Sequence, residues 1–392
     1  MKGGLALSDA VVIEKCDNYD IENVRERIKE GLQLLGGIEK WVKPGMTVVL
    51  KPNLLTRKSP EQAVTTHPHI VQAVAELIQK AGAKAVIVDS PGGPDSKAYL
   101  RSVYKTTGME EVAGKTGAIV SYNPQKVELK FEGGSQFRKF TLLKTIVEAD
   151  LVINLPKLKT HGLTLISCAV KNLYGTIPGL IKGEYHLNLA EIQHFSSFLI
   201  DLALCVNPAL TIVDAVVGME GEGPSAGKPK KTGMIFISEN PFTLDYLAAA
   251  TIGLEPEKIA SVVESQKRGL CVKSMAEIDF VGTKDNHSTV PYQLPKSIKQ
   301  IDFTDGLGRR IPKWLLPTIY EWLKPRLKFN SSVCTKCGIC KESCPPAAIT
   351  LDEIKPVVDS EKCIRCYCCQ ELCPKHAVEI SYPWLGRILF RR

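Results

Sequence analysis

The chain has 392 residues, 44% hydrophobic and 23% charged, an ordinary globular balance long enough for two or three domains. It lacks a run of about 18 apolar residues, which argues against a transmembrane helix, and its start, MKGGLALSDAVVIEKC, lacks the apolar core and cleavage site of a secretory signal. A cytoplasmic protein is expected, and the formal charge of +8 comes with no zinc-finger, recognition-helix or RNA-binding signature, so nucleic acid is not an expected partner.

Across residues 1–303, short apolar runs alternate with amphipathic stretches. This is the pattern of an α/β fold with a largely parallel sheet flanked by helices. Strands are expected at 11–15, 47–50, 85–88, 151–154, 210–213 and 234–237. Helices are expected at 21–35, 68–81, 163–174, 188–205 and 242–252. Asp20 and Thr66 have the chemistry of helix N-caps, Pro68 suits a first turn, and Gly36 and Gly82 suit helix stops.

Four strand ends are polar and rich in Gly or Pro: Lys51-Pro52-Asn53, Asp89-Ser90-Pro91-Gly92-Gly93, the run 155–162, and the run 220–228 after Asp214. Ligands of open α/β sheets bind beyond such carboxyl ends, on loops held by a rigid sheet. The run 155–162 is the richest. Lys157, Lys159 and His161 alternate, so an extended backbone points them to one side. Lys171 and Asn172 follow on the expected helix, then Tyr174, with His186 on a loop. Lysines suit a carboxylate or phosphate, and histidines can move protons near neutral pH. The glycines at 221, 223 and 227 fit either a loop approaching a ligand or a plain turn. They do not form a phosphate-binding or dinucleotide fingerprint. His67-Pro68-His69 looks like a metal pair, but a helix N-terminus explains it better.

Residues 304–330 form a basic, Pro-containing linker, and residues 383–392 a basic amphipathic tail. Such segments can lie on a membrane surface, yet the prolines favour packing that docks the unit between them. That unit, 331–382, holds the strongest signal. Cys334, Cys337, Cys340 and Cys344-Pro345 repeat as Cys363, Cys366, Cys369 and Cys373-Pro374. This is the bacterial ferredoxin spacing, in which the cysteine before proline ligates the other cluster. A small α+β ferredoxin-like domain with two 4Fe-4S clusters is expected. One would be held by Cys334, Cys337, Cys340 and Cys373, the other by Cys363, Cys366, Cys369 and Cys344. Two clusters of charge about −2 each bring the net charge down to about +4. Of the remaining cysteines, Cys16, Cys168, Cys205 and Cys271 read as buried free thiols, and Cys368 as a spectator beside a cluster.

LKPNLL at 50–55, LPKLKTH at 155–161, KNLYG at 171–175 and VDAVVGMEGEGPSAGKP at 213–229 resemble the family catalogued as domain of unknown function 362. The resemblance implies a cytoplasmic prokaryotic iron–sulfur protein with a C-terminal ferredoxin-like domain and no generally assigned substrate. The family motifs coincide with Lys157, Lys159, His161, Lys171, Asn172, Asp214, Glu220 and Gly223, and carry no catalytic roles with them. Residue chemistry then suggests an oxidoreductase. Lys157, Lys159 and Lys171 would hold an anionic substrate, Asp214 would lie in the site, and His161 or His186 would supply a proton. The alternatives are an electron carrier that binds a redox partner protein through its α/β domain, and a redox sensor.

Overall fold

A computed structural model describes residues 8–93, 96–179, 181–189, 191–283, 286–295, 326–353 and 355–381. Most of the expected linker, up to 325, and the tail 383–392 lie outside the described residues. The first half contains β1 (Ala10–Lys15), α1 (Ile21–Leu34), β2 (Thr47–Pro52), α2 (Pro68–Lys80), β3 (Lys84–Ile87), α3 (Lys97–Thr106), α4 (Met109–Thr116), β4 (Ile119–Val120), β5 (Lys126–Lys130), β6 (Lys139–Leu143) and α5 (Lys144–Val147). Then come β7 (Leu151–Leu155), β8 (Lys157–His161), β9 (Leu165–Ser167), α6 (Ala169–Asn172), α7 (Ile181–Asn188), α8 (Ile192–Val206), β10 (Leu210–Glu220), β11 (Lys228–Ser238), α9 (Pro241–Thr251), α10 (Ala260–Lys267) and β12 (Asp279–Phe280).

One sheet carries the order β12-β1-β11-β10-β7-β2-β3-β4, with β8 added on β10 and β9 on β8. From β10 to β4 each pair along that order is parallel, while β11 is antiparallel to both β10 and β1. The sheet is therefore largely parallel. Successive side chains of a strand face opposite sides, and helices cover both. Val12, Ile212, Ile235 and Ile237 join the core with residues of α1 to α4 on one side. Ile13, Val213 and Phe236 join α8, α9 and α10 on the other.

Local chemistry sets the element ends. The Asp20 carboxylate accepts from the N–H groups of Glu22 and Asn23 and caps α1. At α2 the cap is His67 rather than Thr66. Thr66 instead donates to the Leu155 carbonyl and accepts from the Asn53 N–H, which ties the loop after β2 to the end of β7. The helix expected at 163–174 is mostly replaced. A hairpin takes 165–167 into β9 opposite β8, and only α6 and the 3₁₀ turn Leu173–Thr176 follow. Strand pairing there outweighs the helical spacing. The helix expected at 188–205 is α8, which begins at Ile192, and the separate helix α7 precedes it, so His186 lies on a helix and not on a loop.

The C-terminal domain contains β13 (Arg326–Phe329), α11 (Ile339–Glu342), β14 (Ile349–Leu351), β15 (Pro356–Val358), α12 (Cys368–Glu371) and β16 (Val378–Ser381). β13, which falls in the expected linker, pairs antiparallel with β16, and β14 pairs with β15. The cysteine repeat is also a backbone repeat. Lys336 and Arg365, Gly338 and Tyr367, and Ala347 and His376 occupy equivalent places, each at positive φ. The buried core of the domain is small: Ile349, Cys369 and Val378, with Leu327 and Phe329 against them. A unit of this size needs a staple beyond its apolar contacts.

Candidate functional site

A cavity of about 300 Å³ lies beyond the ends of β2 and β3, and the C-terminal domain forms part of its wall. Lys51, Asn53, Asp89, Lys159, His161 and Lys171 face it from the α/β domain. Cys344, Cys368, Glu371 and Leu372 face it from the other. Several contacts hold the two domains together. The Ser225 hydroxyl donates to the Glu371 carbonyl at 2.6 Å, and His161 Nε2 lies 3.6 Å from Glu371 Oε1. Lys58 Nζ reaches the Pro374 carbonyl at 3.3 Å and His376 Nε2 at 2.8 Å.

The lysines at the cavity differ in their partners. Lys51 is 1% exposed and fully committed: it pairs with Asp89 Oδ1 at 2.7 Å and donates to Asn172 Oδ1 and the Pro52 carbonyl. Gly175 makes room for that pair, since a Cβ there would lie 2.2 Å from Asp89 Oδ1 and 2.5 Å from Lys51 Nζ. Asn172 also donates to the Lys51 carbonyl and to Asn154 Oδ1, which fixes its amide. Lys171 Nζ lies over the Tyr174 ring at 4.5 Å and the Phe195 ring at 5.8 Å. Lys159 is 0% exposed and donates to two neutral acceptors, Asn53 Oδ1 at 3.0 Å and the Val64 carbonyl at 2.8 Å. Burial, assisted by the charges of Lys171 and Lys157, lowers its pKa to about 7.

His161 is buried, and its Nδ1 accepts from the N–H groups of Leu163 and Thr164, so a neutral ring carries its hydrogen on Nε2. Burial holds it well below the usual histidine range, with Lys171 and Lys159 adding to the effect. His161 is thus a neutral hydrogen-bond donor and not a store of protons at pH 7. His186 lines the cavity from α7, edge-on to Tyr174.

Lys157 and Asp214 are not brought into the cavity. They form a buried pair at 2.9 Å beside it, closed by Tyr19, whose hydroxyl lies 2.6 Å from both Asp214 Oδ1 and Lys157 Nζ. The other Asp214 oxygen accepts from the His67 N–H, and the Tyr19 ring stacks on His67. This network joins the loop after β1 to the start of α2, and it absorbs the His67-Pro68-His69 motif: the His69 ring contacts the Tyr19 carbonyl. Of the Gly-rich run, Pro224 reaches the cavity, and Gly223 lies against β8, where a Cβ would come 2.0 Å from the Thr160 carbonyl oxygen.

The eight repeated cysteines surround two small hollows. One is lined by Cys334, Cys337, Cys340 and Cys373, the other by Cys344, Cys363, Cys366 and Cys369. Each thiolate of a 4Fe-4S cluster binds a different iron, so its ligands ring a space instead of meeting at a point. Among the described residues no three His, Cys, Asp or Glu converge on a single-ion site. The Ala348 and Ala377 N–H groups donate to Cys344 Sγ and Cys373 Sγ, both at 3.2 Å, as suits thiolate sulfur. The residues present fit iron–sulfur clusters. Cys337 is exposed, whereas Cys344 of the second set and the extra thiol Cys368 border the large cavity. Cys16, Cys168 and Cys271 are buried and Cys205 partly so.

Lys51 and Asp89 sit at strand ends that the sequence marks as polar, but their pairing is visible only in three dimensions. Glu371 and Cys368 carry no local signal for this cavity, since they reach it through domain docking.

Comparison with known proteins agrees with both halves. The model of domain of unknown function 362 matches residues 48–250, and that of a 4Fe-4S dicluster domain matches residues 326–374. The thylakoid-associated protein sll1697 of Synechocystis sp. is 32% identical over 308 residues, 76% of this chain and 91% of its own. The lactate racemase apoprotein of Thermoanaerobacterium thermosaccharolyticum aligns with 60% of this chain and 55% of its own, at 15% identity and a TM-score of 0.36. That likeness is too distant to carry an argument.

Proposed function

This chain belongs to the family of domain of unknown function 362, and we propose that it is an iron–sulfur oxidoreductase whose anionic substrate binds between its two domains. The supporting observation is the placement of the cavity. Cationic and neutral donor groups of the α/β domain face it from one side, and Cys344 of the second cysteine set borders it on the other. The two hollows would each hold one 4Fe-4S cluster, which when bound supplies single electrons. Exposed Cys337 of the first set suits the approach of a redox partner protein.

Residues of the chain do the rest. Lys171 supplies charge for a carboxylate or phosphate, Asn53 offers a polar edge, Asn172 holds Lys51 in place, and His161 donates from Nε2 without carrying charge of its own. Lys51 is satisfied by Asp89 and shapes the wall. Lys157 and Asp214 position β8 and leave the substrate untouched. No described helix is long and apolar enough to cross a bilayer. The Synechocystis relative is named for its thylakoid association. A cytoplasmic protein that contacts a membrane surface is the location we propose.

The test is stopped-flow reoxidation of the dithionite-reduced holoprotein, followed by cluster absorbance, against a panel of small carboxylates and phosphates. We expect saturable acceleration by at least one class. Lys171→Ala should raise the half-saturation concentration at least tenfold at unchanged iron and sulfide content. If no anion accelerates reoxidation while a partner ferredoxin does, the protein is a carrier and the cavity is not a substrate site.

A further inference from the structure

We propose that Lys159 is an imine-forming amine that attacks the carbonyl carbon of a small oxo acid held in the cavity. This rests on the reading of the cavity as an anion site and adds a carbonyl group to the substrate.

The argument starts from what surrounds each buried lysine. An ammonium group has three hydrogens to place, and burying it unpaired is costly. Lys51 places three, one of them on a carboxylate, and Lys157 has Asp214. Lys159 places only two, on Asn53 Oδ1 and the Val64 carbonyl. Among the described residues no carboxylate lies within ion-pair distance of it. Two neutral acceptors suit an uncharged amine, which has two hydrogens to give and keeps a lone pair. Lys159 is among the residues that line the cavity.

Of the neighbouring charges, Lys171 and Lys157 act in the same direction as burial, while Glu371 and Asp89 oppose it. Lys171 lines the same cavity and keeps a second positive charge away from Lys159. Desolvation next to another cation is the usual means of making a lysine nucleophilic. The pKa near 7 agrees with the geometry. At pH 7 about half of Lys159 is uncharged, against fewer than about one in a thousand for an ordinary lysine.

The step balances without a further reagent. The Nζ lone pair forms a bond to the carbonyl carbon, and the oxygen becomes a hydroxyl. That hydroxyl takes a proton and leaves as water while Nζ loses its second hydrogen, giving C=N. His161, with its hydrogen on Nε2, lines the same cavity and can hydrogen-bond the departing oxygen without giving up its proton, so the proton that the hydroxyl takes and the one that Nζ loses are exchanged with water. Hydrolysis reverses the sequence and restores the amine. While it lasts, the protonated imine draws electrons from the adjacent carbon, the position at which chemistry would follow.

The experiment is imine trapping on the anaerobic holoprotein. Glyoxylate, pyruvate and pyridoxal 5′-phosphate are each added at pH 7 with cyanoborohydride, and modified lysines are located by peptide mapping. With at least one carbonyl we expect Lys159 to be modified at least tenfold faster than exposed lysines such as Lys15 and Lys29. The adduct should be absent from Lys159→Arg. Modification spread over surface lysines, or centred on Lys171, overturns the proposal, as does absence of a Lys159 adduct with all three. The wild-type map decides even if the variant folds poorly. Loss of the adduct with anion-dependent reoxidation intact removes the imine alone, whereas loss of both removes the anion site as well.

Discussion

At the scale of single residues, the buried lysines make folding sensitive to pH in a direction that can be worked out. The pKa of Lys159 is about 7 in the folded chain, against 10.5 for a free side chain. Between those values the unfolded chain binds more protons than the folded one, so stability rises with pH. Below about pH 7 both states bind the proton, and the penalty is constant. Lys51, Lys157 and Lys171 are lowered in the same direction by burial. Cys16 opposes them at the upper end, because burial raises its thiol to about 11 and that stability is lost as pH climbs from 9. The clean window is therefore pH 7 to 9. Denaturant midpoints of wild type and Lys159→Met, compared across it, should show wild type gaining on the variant by roughly 1–3 kcal/mol. Parallel curves would mean that Lys159 keeps an ordinary pKa in the folded chain.

At the scale of elements, the parts easiest to read were those set by their own residues. Asp20 caps α1 with a short polar side chain, and the strand runs at 47–50 and 151–154 are apolar enough to enter a sheet covered on both faces. Where pairing partners are distant, the pattern misleads: the helical spacing across 163–174 yields to the β8–β9 hairpin, and β5 and β6 pass unnoticed because their alternation is half polar. The link between that hairpin and α8 is equally invisible in sequence. Asp201, 0% exposed on α8, accepts from the N–H groups of Ser135, Gln136 and Phe137 in the β5–β6 turn and pairs with Arg268 at 2.6 Å. Asp201→Ala would strand three backbone donors and leave Arg268 with Glu264 and Ser197 alone. It should cost about 3–5 kcal/mol in denaturant unfolding, with faster amide exchange at 135–137. A loss under about 1 kcal/mol would show that water replaces the carboxylate without penalty.

At the scale of the whole molecule, the candidate site is a product of docking, which explains how unevenly it could be read. The eight cysteines are legible because a cluster demands a local spacing, and Lys159, His161 and Lys171 because they crowd one strand end. The approach of Glu371 and Cys368 to those lysines depends on a surface match, and two glycines make that match. A Cβ on Gly92 would lie 2.0 Å from Leu372 Cδ2, and one on Gly183 would lie 3.2 Å from Pro345 Cγ. Gly92 thus receives the C-terminal domain without contributing to either domain's own core. Gly92→Val should leave the cluster content and the melting of the α/β domain near wild type while pushing Leu372 out of its seat. Small-angle scattering should then report a larger radius, and any anion-dependent reoxidation should fall at least tenfold. Gly114→Ala is the control, since a Cβ there meets nothing within 4 Å. If Gly92→Val matches Gly114→Ala in both radius and reoxidation, the domains do not need this seat, and electron exchange at the cavity does not depend on the docked arrangement.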